Sequence, residues 1–390
     1  MPVPIYPKGL REVAIIGIGQ SLFGKQPERG LTEMGEEAAR AAIKVARINP
    51  KKIQFVYCSN LYHPFVLGQG IASRVGISDC EVVNVENACA GGATAVRGVW
   101  YGIATGLYDI GLAVGVESMT TSPIAGKLIP PSKDDLEGQL GLTMPSFFAL
   151  IMKRHMEQYG STLEQFAKIS VKNHHHGCLN PFSQYQKEFT VEEILNSRMI
   201  CEPITLLACC PNTDGAAAII LCAADIAKQY TTKPIYIAAS ALFMGDYKHR
   251  QKDIAFSNLT YKTVHQAYEM AGIGPEDLDV IELHDPFTVA ELCHYEEMGL
   301  CPKGEGGRLI EEGTTYLGGR IPVNPSGGLL AQGHPLSATG VRQVAEISSH
   351  LRGEAGARQV PDAKIGMAHV VGGTVAGLEA GACGVTILKR

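Results

Sequence analysis

Four short segments of this sequence carry residues able to do covalent or acid–base chemistry. Cys89 stands in Val85-Glu86-Asn87-Ala88-Cys89-Ala90-Gly91-Gly92-Ala93-Thr94-Ala95, where an apolar strand over 81–85 runs into a turn and small residues open a helix. A thiol at a helix N-terminus meets the positive end of the dipole, which favours the reactive thiolate. Taken alone, a cysteine in such a turn is equally well explained as packing. His334 lies in Gly333-His334-Pro335, just after Asn324-Pro325-Ser326-Gly327-Gly328. A histidine clamped between Gly and Pro, opposite a nucleophile, suits a general base. His284, in Glu282-Leu283-His284-Asp285-Pro286-Phe287, follows a buried strand at its carboxyl end, where open α/β sheets place their sites. His369 precedes Gly372-Gly373, whose backbone N–H groups can face an oxyanion. His284 or His369 singly can be a satisfied core histidine; four such motifs on strand ends of one core point to a site. Gly17-Ile18-Gly19 lacks the third glycine and the helix opening of a dinucleotide fingerprint.

The elements that must position these residues come twice. Ala42 and Ala267, Pro50 and Pro275, and Asn60 and Asp285 each stand 225 positions apart, inside a matching helix, proline turn and buried strand. Each copy follows an apolar strand, over 12–18 and 234–240. Further on, Asn87-Ala88-Cys89-x-Gly91 matches Asn324-Pro325-Ser326-x-Gly328 at an offset of 237, which implies 12 inserted residues in the second half. A helix follows each (93–104 and 337–351), then a strand (110–116 and 364–371). Strands alternating with helices predict a layered, parallel-type α/β sheet. Two copies predict a pseudo-twofold core in which the Cys89 turn faces the His334 segment. Residues 120–207 have no counterpart. They contain Pro123 and Pro130-Pro131, an amphipathic stretch over 147–159 and a polar run over 172–180, and read as an excursion that covers the site. The strand 214–223 then closes the first half.

The 390 residues are 45% hydrophobic and 19% charged, with net charge −5, a globular balance without a basic footprint for nucleic acid. The N-terminus does not read as a signal peptide, and no apolar run approaches the ~18–20 residues of a membrane span. The 11 cysteines form no Cys-x-x-Cys pair, so reduced thiols in the cytoplasm are expected. The tract His174-His175-His176 and Cys209-Cys210 do not read as a zinc site, and no metal is expected.

At these residues the sequence resembles the thiolase superfamily along nearly its whole length, most closely its sterol-carrier-protein-type and archaeal-type members. The pointers are the Cys89 turn, Asn324 to Pro335, Gly372-Gly373, His284-Asp285, Lys172-Asn173-His174 and Cys210-Pro211-Asn212-Thr213-Asp214-Gly215-Ala216. The resemblance implies duplicated βαβαβαββ halves in a five-layered αβαβα core, with residues 1–119 as the N-terminal half, an inserted loop domain at 120–207 covering CoA, the closing strand in 208–228 and the C-terminal half at 229–390. It implies a homodimer, no bound cofactor, and coenzyme A as a substrate. In the reaction it implies, Cys89 attacks the 3-oxo carbon of an acyl-CoA while His334 takes the thiol proton. His334 and His284 hold the enolate oxygen, and Cys89 N–H with the Gly372-Gly373 loop holds the tetrahedral oxyanion. Arg154, Lys172 and Arg198 are the candidates for gripping CoA, with Ser326.

One feature departs from that family. Its members carry a second cysteine, either in the terminal loop or two residues after the His284-type histidine; here those positions hold His369 and Pro286. His369 is therefore expected to protonate the leaving carbon, and a specialised substrate is expected, such as a branched or aryl 3-oxoacyl-CoA like 2-benzoylsuccinyl-CoA. Relatives also imply a small zinc-ribbon/OB-fold partner. The alternatives are a ketoacyl-synthase-like condensing enzyme and a non-catalytic scaffold subunit.

Overall fold

The computed structural model describes residues 9–62, 65–123, 125, 133, 135–246, 253–374 and 378–390; Pro130-Pro131 and the first eight residues lie outside them. The first half runs β1 (Val13–Gln20), α1 (Leu31–Ala46), β2 (Phe55–Ser59), α2 (Leu67–Arg74), β3 (Glu81–Val85), α3 (Gly91–Ala104) and β4 (Ile110–Ser118). Next come α4 (Leu136–Gln139), α5 (Met144–Tyr159), α6 (Leu163–Cys178), α7 (Val191–Leu195) and the short pair β5 (Met199–Cys201) and β6 (Ile204–Thr205). Then β7 (Asp214–Ala223) returns to the main sheet. The second half runs β8 (Ile235–Phe243), α8 (Asn258–Ala271), β9 (Val280–Glu282), α9 (Thr288–Glu297), α10 (Gly306–Glu311), α11 (Gly328–Ala331), α12 (Leu336–Arg352), β10 (Ile365–Thr374) and β11 (Ala380–Lys389).

Among the described residues, nine strands lie in the order β3-β2-β4-β7-β1-β8-β11-β10-β9. The two halves meet at β1 and β8, paired only at Ala14–Tyr236 and Ile15–Ile235. Three apolar clusters define the layers. One packs α1 and α2 on the outer face of the first half-sheet. One packs α8 on the outer face of the second. The central one joins α3 and α12 to inner-facing residues of both half-sheets. The result is the expected five-layered αβαβα stack. Strands β4 and β7 are buried along their full length on both faces, which is why they read as continuous apolar runs without alternation.

The two inner helices cross at glycines. A Cβ on Gly92 would lie 2.8 Å from Ser337 O, and one on Gly340 would lie 2.4 Å from Ala93 N, so the backbones of α3 and α12 touch. That contact sets the residues just before each helix, Cys89 and His334, side by side.

The predicted elements appear with small shifts. Helix α5 begins before residue 147 because Thr143 caps it and Pro145 occupies its first turn. The second-half equivalent of β3 is reduced to a single parallel bridge between Val323 and Ile281. The polar run over 172–180 is not a surface cover: Lys172, Asn173, His174, His176 and Asn180 are all fully buried, in α6 and just after it. No helix among the described residues is long and apolar enough to cross a membrane.

Candidate active site

Ala88, immediately before Cys89, is held at φ 46°, a left-handed conformation that a residue with a Cβ adopts at a cost and that clusters at functional turns. The turn is pressed against the end of β10. A Cβ on Gly372 would fall 2.2 Å from Asn87 O and 2.5 Å from Ala90 N, so only glycine admits this approach. The backbone N–H groups of Gly373 and of Cys89 itself are directed at the Cys89 sulfur.

Cys89 Sγ and one ring nitrogen from each of His284 and His334 all lie within 4.8 Å of one another. The two imidazoles meet edge-on, with centroids 5.2 Å apart and planes at 66°. His334 Nδ1 lies 2.8 Å from Thr339 Oγ1, and that hydroxyl gives its own proton to Pro335 O at 3.1 Å. His334 therefore carries its proton on Nδ1 and leaves Nε2 as a bare acceptor, an assignment from the hydrogen-bond pattern. Among the described residues, neither His334 Nε2 nor His284 Nε2 has a hydrogen-bond partner. Burial, with the nearby Arg342 charge, pushes His334 down to about 3; burial chiefly, with three neighbouring histidines, holds His284 well below the usual range. Both rings are neutral near pH 7.

The thiol does not follow the expectation from the helix dipole. Burial pushes Cys89 up to about 12, against the lowering effect of the two backbone N–H groups. The resting pair is thus thiol and neutral imidazole. Alkylation of Cys89 by iodoacetamide is accordingly expected to rise about tenfold per pH unit from pH 7 to 10, because the thiolate fraction grows throughout that range. A plateau below pH 9 would show a preformed thiolate.

The loop bearing His284 is clamped from below, which explains the second repeat of the Asn-x-x-x-Gly pattern. Asn324 Oδ1 accepts from Leu283 N at 2.9 Å, and its Nδ2 donates to Glu291 Oε2 at 2.9 Å. Ser326 N and Oγ donate to the two oxygens of Glu282 at 3.0 and 2.8 Å. Asp285 accepts from Leu329 N at 2.8 Å and from Asn173 Nδ2 at 2.8 Å. His176 Nδ1 donates to Asn324 O at 3.0 Å, and its Nε2 accepts from Leu317 N at 3.1 Å. The His174–His176 tract is thus structural. Sequence reading missed the clamp roles of Glu282 at the end of β9, Glu291 in α9 and Arg342 in α12, whose guanidinium pairs with Glu282 and donates to Ser326 Oγ at 2.7 Å; their only signal was charge in elements that are otherwise buried.

Three expected roles require correction. Lys172 is fully buried and pairs with Glu291 while donating to Val323 O at 2.8 Å, so it is not free to meet a CoA phosphate. Ser326 is fully buried and its hydroxyl is committed to Glu282. His369 lies inside β10 rather than in a loop. Strand alternation turns Val370 toward Cys89, Ala90 and Ala93, and turns His369 to the opposite face with Met367 and Val371. There its ring packs edge-on against His294 at 4.6 Å, and Nδ1 lies 3.5 Å from His284 N. It sits beneath the His284 backbone, on the face of β10 opposite Cys89. Arg154 and Arg198 are exposed, Arg154 with Glu157 and Asp253 each 3.9 Å away.

Because both members of the Lys172–Glu291 pair have fully buried side chains, Lys172→Met leaves an uncompensated carboxylate. We expect roughly 3–5 kcal/mol of destabilisation, read by urea unfolding, with the KM for CoA little changed in the folded fraction. A raised KM at unchanged stability would restore Lys172 to CoA binding.

Comparison with known proteins gives consistent matches. The model of the thiolase N-terminal domain matches residues 13–225, and that of the thiolase C-terminal domain-like family matches 244–382. An acetyl-CoA acetyltransferase of Methanothermobacter thermautotrophicus is 42% identical, over 94% of this chain and 97% of that protein. The benzoylsuccinyl-CoA thiolase subunit BbsB of Thauera aromatica is 37% identical over 93% and 95%. Among solved structures, the Ltp2–ChsH2(DUF35) aldolase superposes with TM-score 0.84 and 25% identity over 97% and 98% of the two chains. Human mitochondrial 3-ketoacyl-CoA thiolase superposes with TM-score 0.73 at 17% identity over 98% and 99%, a likeness of fold.

Proposed function

Because this chain belongs to the thiolase family and is an acyltransferase, we propose that it cleaves a 3-oxoacyl-CoA with free CoA through an acyl group carried on Cys89. The observation that carries this reading is the convergence of one thiol and two neutral imidazoles within 4.8 Å, on the two halves of a duplicated core. His334, with Nε2 bare, takes the Cys89 proton as sulfur adds to C3. The electron pair of the breaking C2–C3 bond passes to an enolate. Its oxygen is held at His284 and the returned proton of His334, and the tetrahedral oxyanion is held by the N–H groups of Cys89 and Gly373. Free CoA then takes the acyl group.

The finer reading is a branched or aryl 3-oxoacyl-CoA. Its support is the altered acid–base residue at Pro286 and the likeness to a benzoylsuccinyl-CoA thiolase subunit. We take residues 120–207 as the cover under which CoA lies, because α5 and α6 pack on Phe287, Val289 and Leu292 beside the His284 loop. Exposed Arg154 and Arg198 are the phosphate candidates on that cover. A protein partner fits two relatives, one of them a subunit and the other solved with ChsH2. A homodimer and a cytoplasmic setting complete the proposal.

The likeness to an aldolase raises a second reading, carbon–carbon cleavage without acyl transfer. An aldol cleavage needs no thiol nucleophile, and Cys89 with its two histidines favours acyl transfer. The test is a panel of 3-oxoacyl-CoAs (acetoacetyl, long-chain and arylsuccinyl) with and without CoA. Two acyl-CoA products formed only when CoA is present support the reading, and the preferred member identifies the substrate. Repeated turnover without CoA, beyond one cleavage per chain, or decarboxylation of a malonyl thioester instead, contradicts it.

A further inference from the structure

We propose that Cys210 is the acid–base residue of this reaction, its thiol giving a proton to the α-carbon of the leaving enolate; this rests on the acyl-transfer reading above. The residue is distant in sequence from every motif of the site, and the fold brings it there. Cys210 N donates to Pro286 O at 2.9 Å, and Cys209 pairs with Phe287 in an antiparallel bridge. The segment 209–210 thus lies along the loop that follows His284-Asp285, beside the position where the family's second cysteine is replaced by Pro286.

The direction of the side chain follows from the local backbone. Cys209 is extended (φ −116°, ψ 148°), so neighbouring side chains point to opposite sides. The Cys209 sulfur turns away, donating to Thr205 O at 3.3 Å and packing in the cluster of α5 and α6. Cys210 therefore faces the other way, where its thiol is close enough to feel Asp285 and Cys89 as charges. Cys89 and Cys210 are both only part-buried, whereas Cys293 and Cys383 are buried in apolar clusters away from the Cys89 turn. Burial chiefly, then Cys209, Asp285 and Cys89 as neighbouring charges, holds the Cys210 thiol well above its ordinary value. It keeps its proton until a strongly basic carbon forms beside it.

The protons balance over a cycle. Cys89 gives its proton to His334 and adds to C3. The C2–C3 bond breaks, its electron pair goes to C2, and Cys210 protonates C2 to release the first acyl-CoA. The Cys210 thiolate then takes the proton of the incoming CoA thiol as CoA sulfur adds to the acyl-Cys89 thioester. Cys89 leaves as thiolate and recovers its proton from His334. No oxidant or reductant is needed.

The test compares Cys210→Ala and Cys210→Ser with the wild type and with Cys209→Ser, on the best substrate of the panel and in D2O. Turnover and deuterium incorporation at C2 should fall about 100-fold or more in the Cys210 variants. Acylation of Cys89 by an acyl-CoA should persist in them, since a thiolate leaving group needs no carbon protonation. Cys209→Ser should match the wild type. If Cys210→Ala does not fold, the near-isosteric Cys210→Ser carries the test. A folded Cys210 variant that keeps turnover and deuterium incorporation within about threefold of wild type overturns the inference alone, whereas a wild type that cleaves nothing on the panel overturns the acyl-transfer reading beneath it.

Discussion

Cys89→Ala abolishes turnover, with an expected loss on the order of 10⁴–10⁶-fold in kcat, because the covalent route disappears with the sulfur. The fold should survive. The side chain is half-buried at a turn, the strained φ belongs to Ala88, and the close approach to β10 is made by the backbone of Gly372. Thermal unfolding within a few degrees of wild type, together with unchanged CoA binding, separates lost chemistry from lost structure. Residual turnover above about one per cent would mean that an acyl-enzyme is not on the main path.

His334→Asn comes second, with an expected loss of about 10²–10⁴-fold. The effect should fall on the rate of Cys89 acylation rather than on CoA affinity, since the ring meets Thr339 on one nitrogen and offers the other to the thiol. The pH profile gives an independent reading. A histidine lowered to about 3 on folding stays neutral across the physiological range and becomes protonated only well below it. The acid limb of kcat/KM should therefore lie far below pH 6.5, and the rate should not fall between pH 8 and pH 6 through His334. An acid limb near 6.5, lost in His334→Asn, would show a ring that titrates normally and is exposed to water in the free enzyme.

Much of this was legible in the residues. The 225- and 237-residue offsets announced two equivalent halves, and the halves placed the Cys89 turn opposite His334, where the α3–α12 crossing sets them. Cys89 and His284 were each marked by a strand end followed by a turn, and His334 by its place between Gly333 and Pro335. Four things were not legible, for physical reasons. The face on which His369 lies could not be read, because β10 is buried on both sides through His369 and its sequence shows no polar alternation. The burial of Lys172 and Asn173 could not be read, since a polar stretch of helix normally marks solvent; here it marks a hydrogen-bonded network with Glu291 and Asp285. The approach of Cys210 to Pro286 is a contact between segments 76 positions apart and leaves no local pattern. The same applies to Ser326, whose glycine-rich setting suggested a ligand and whose hydroxyl instead holds Glu282.

Lys172, Ser326 and His369, expected to bind CoA or move protons, form the support beneath the His284 loop, while the chemistry we propose falls to Cys89, His284, His334, Cys210 and the backbone of Gly373. Buried charge under a catalytic loop fixes geometry when every partner is satisfied, as the interlocked hydrogen bonds of Glu282, Asp285 and Glu291 show.

The most direct measurement is rapid quenching of the enzyme with its preferred 3-oxoacyl-CoA in the absence of free CoA, followed by peptide mass spectrometry. The account predicts one acyl adduct per chain, on the peptide carrying Cys89, formed together with the first acyl-CoA and discharged when CoA is added. Cleavage without an adduct, or an adduct that CoA does not discharge, would contradict it.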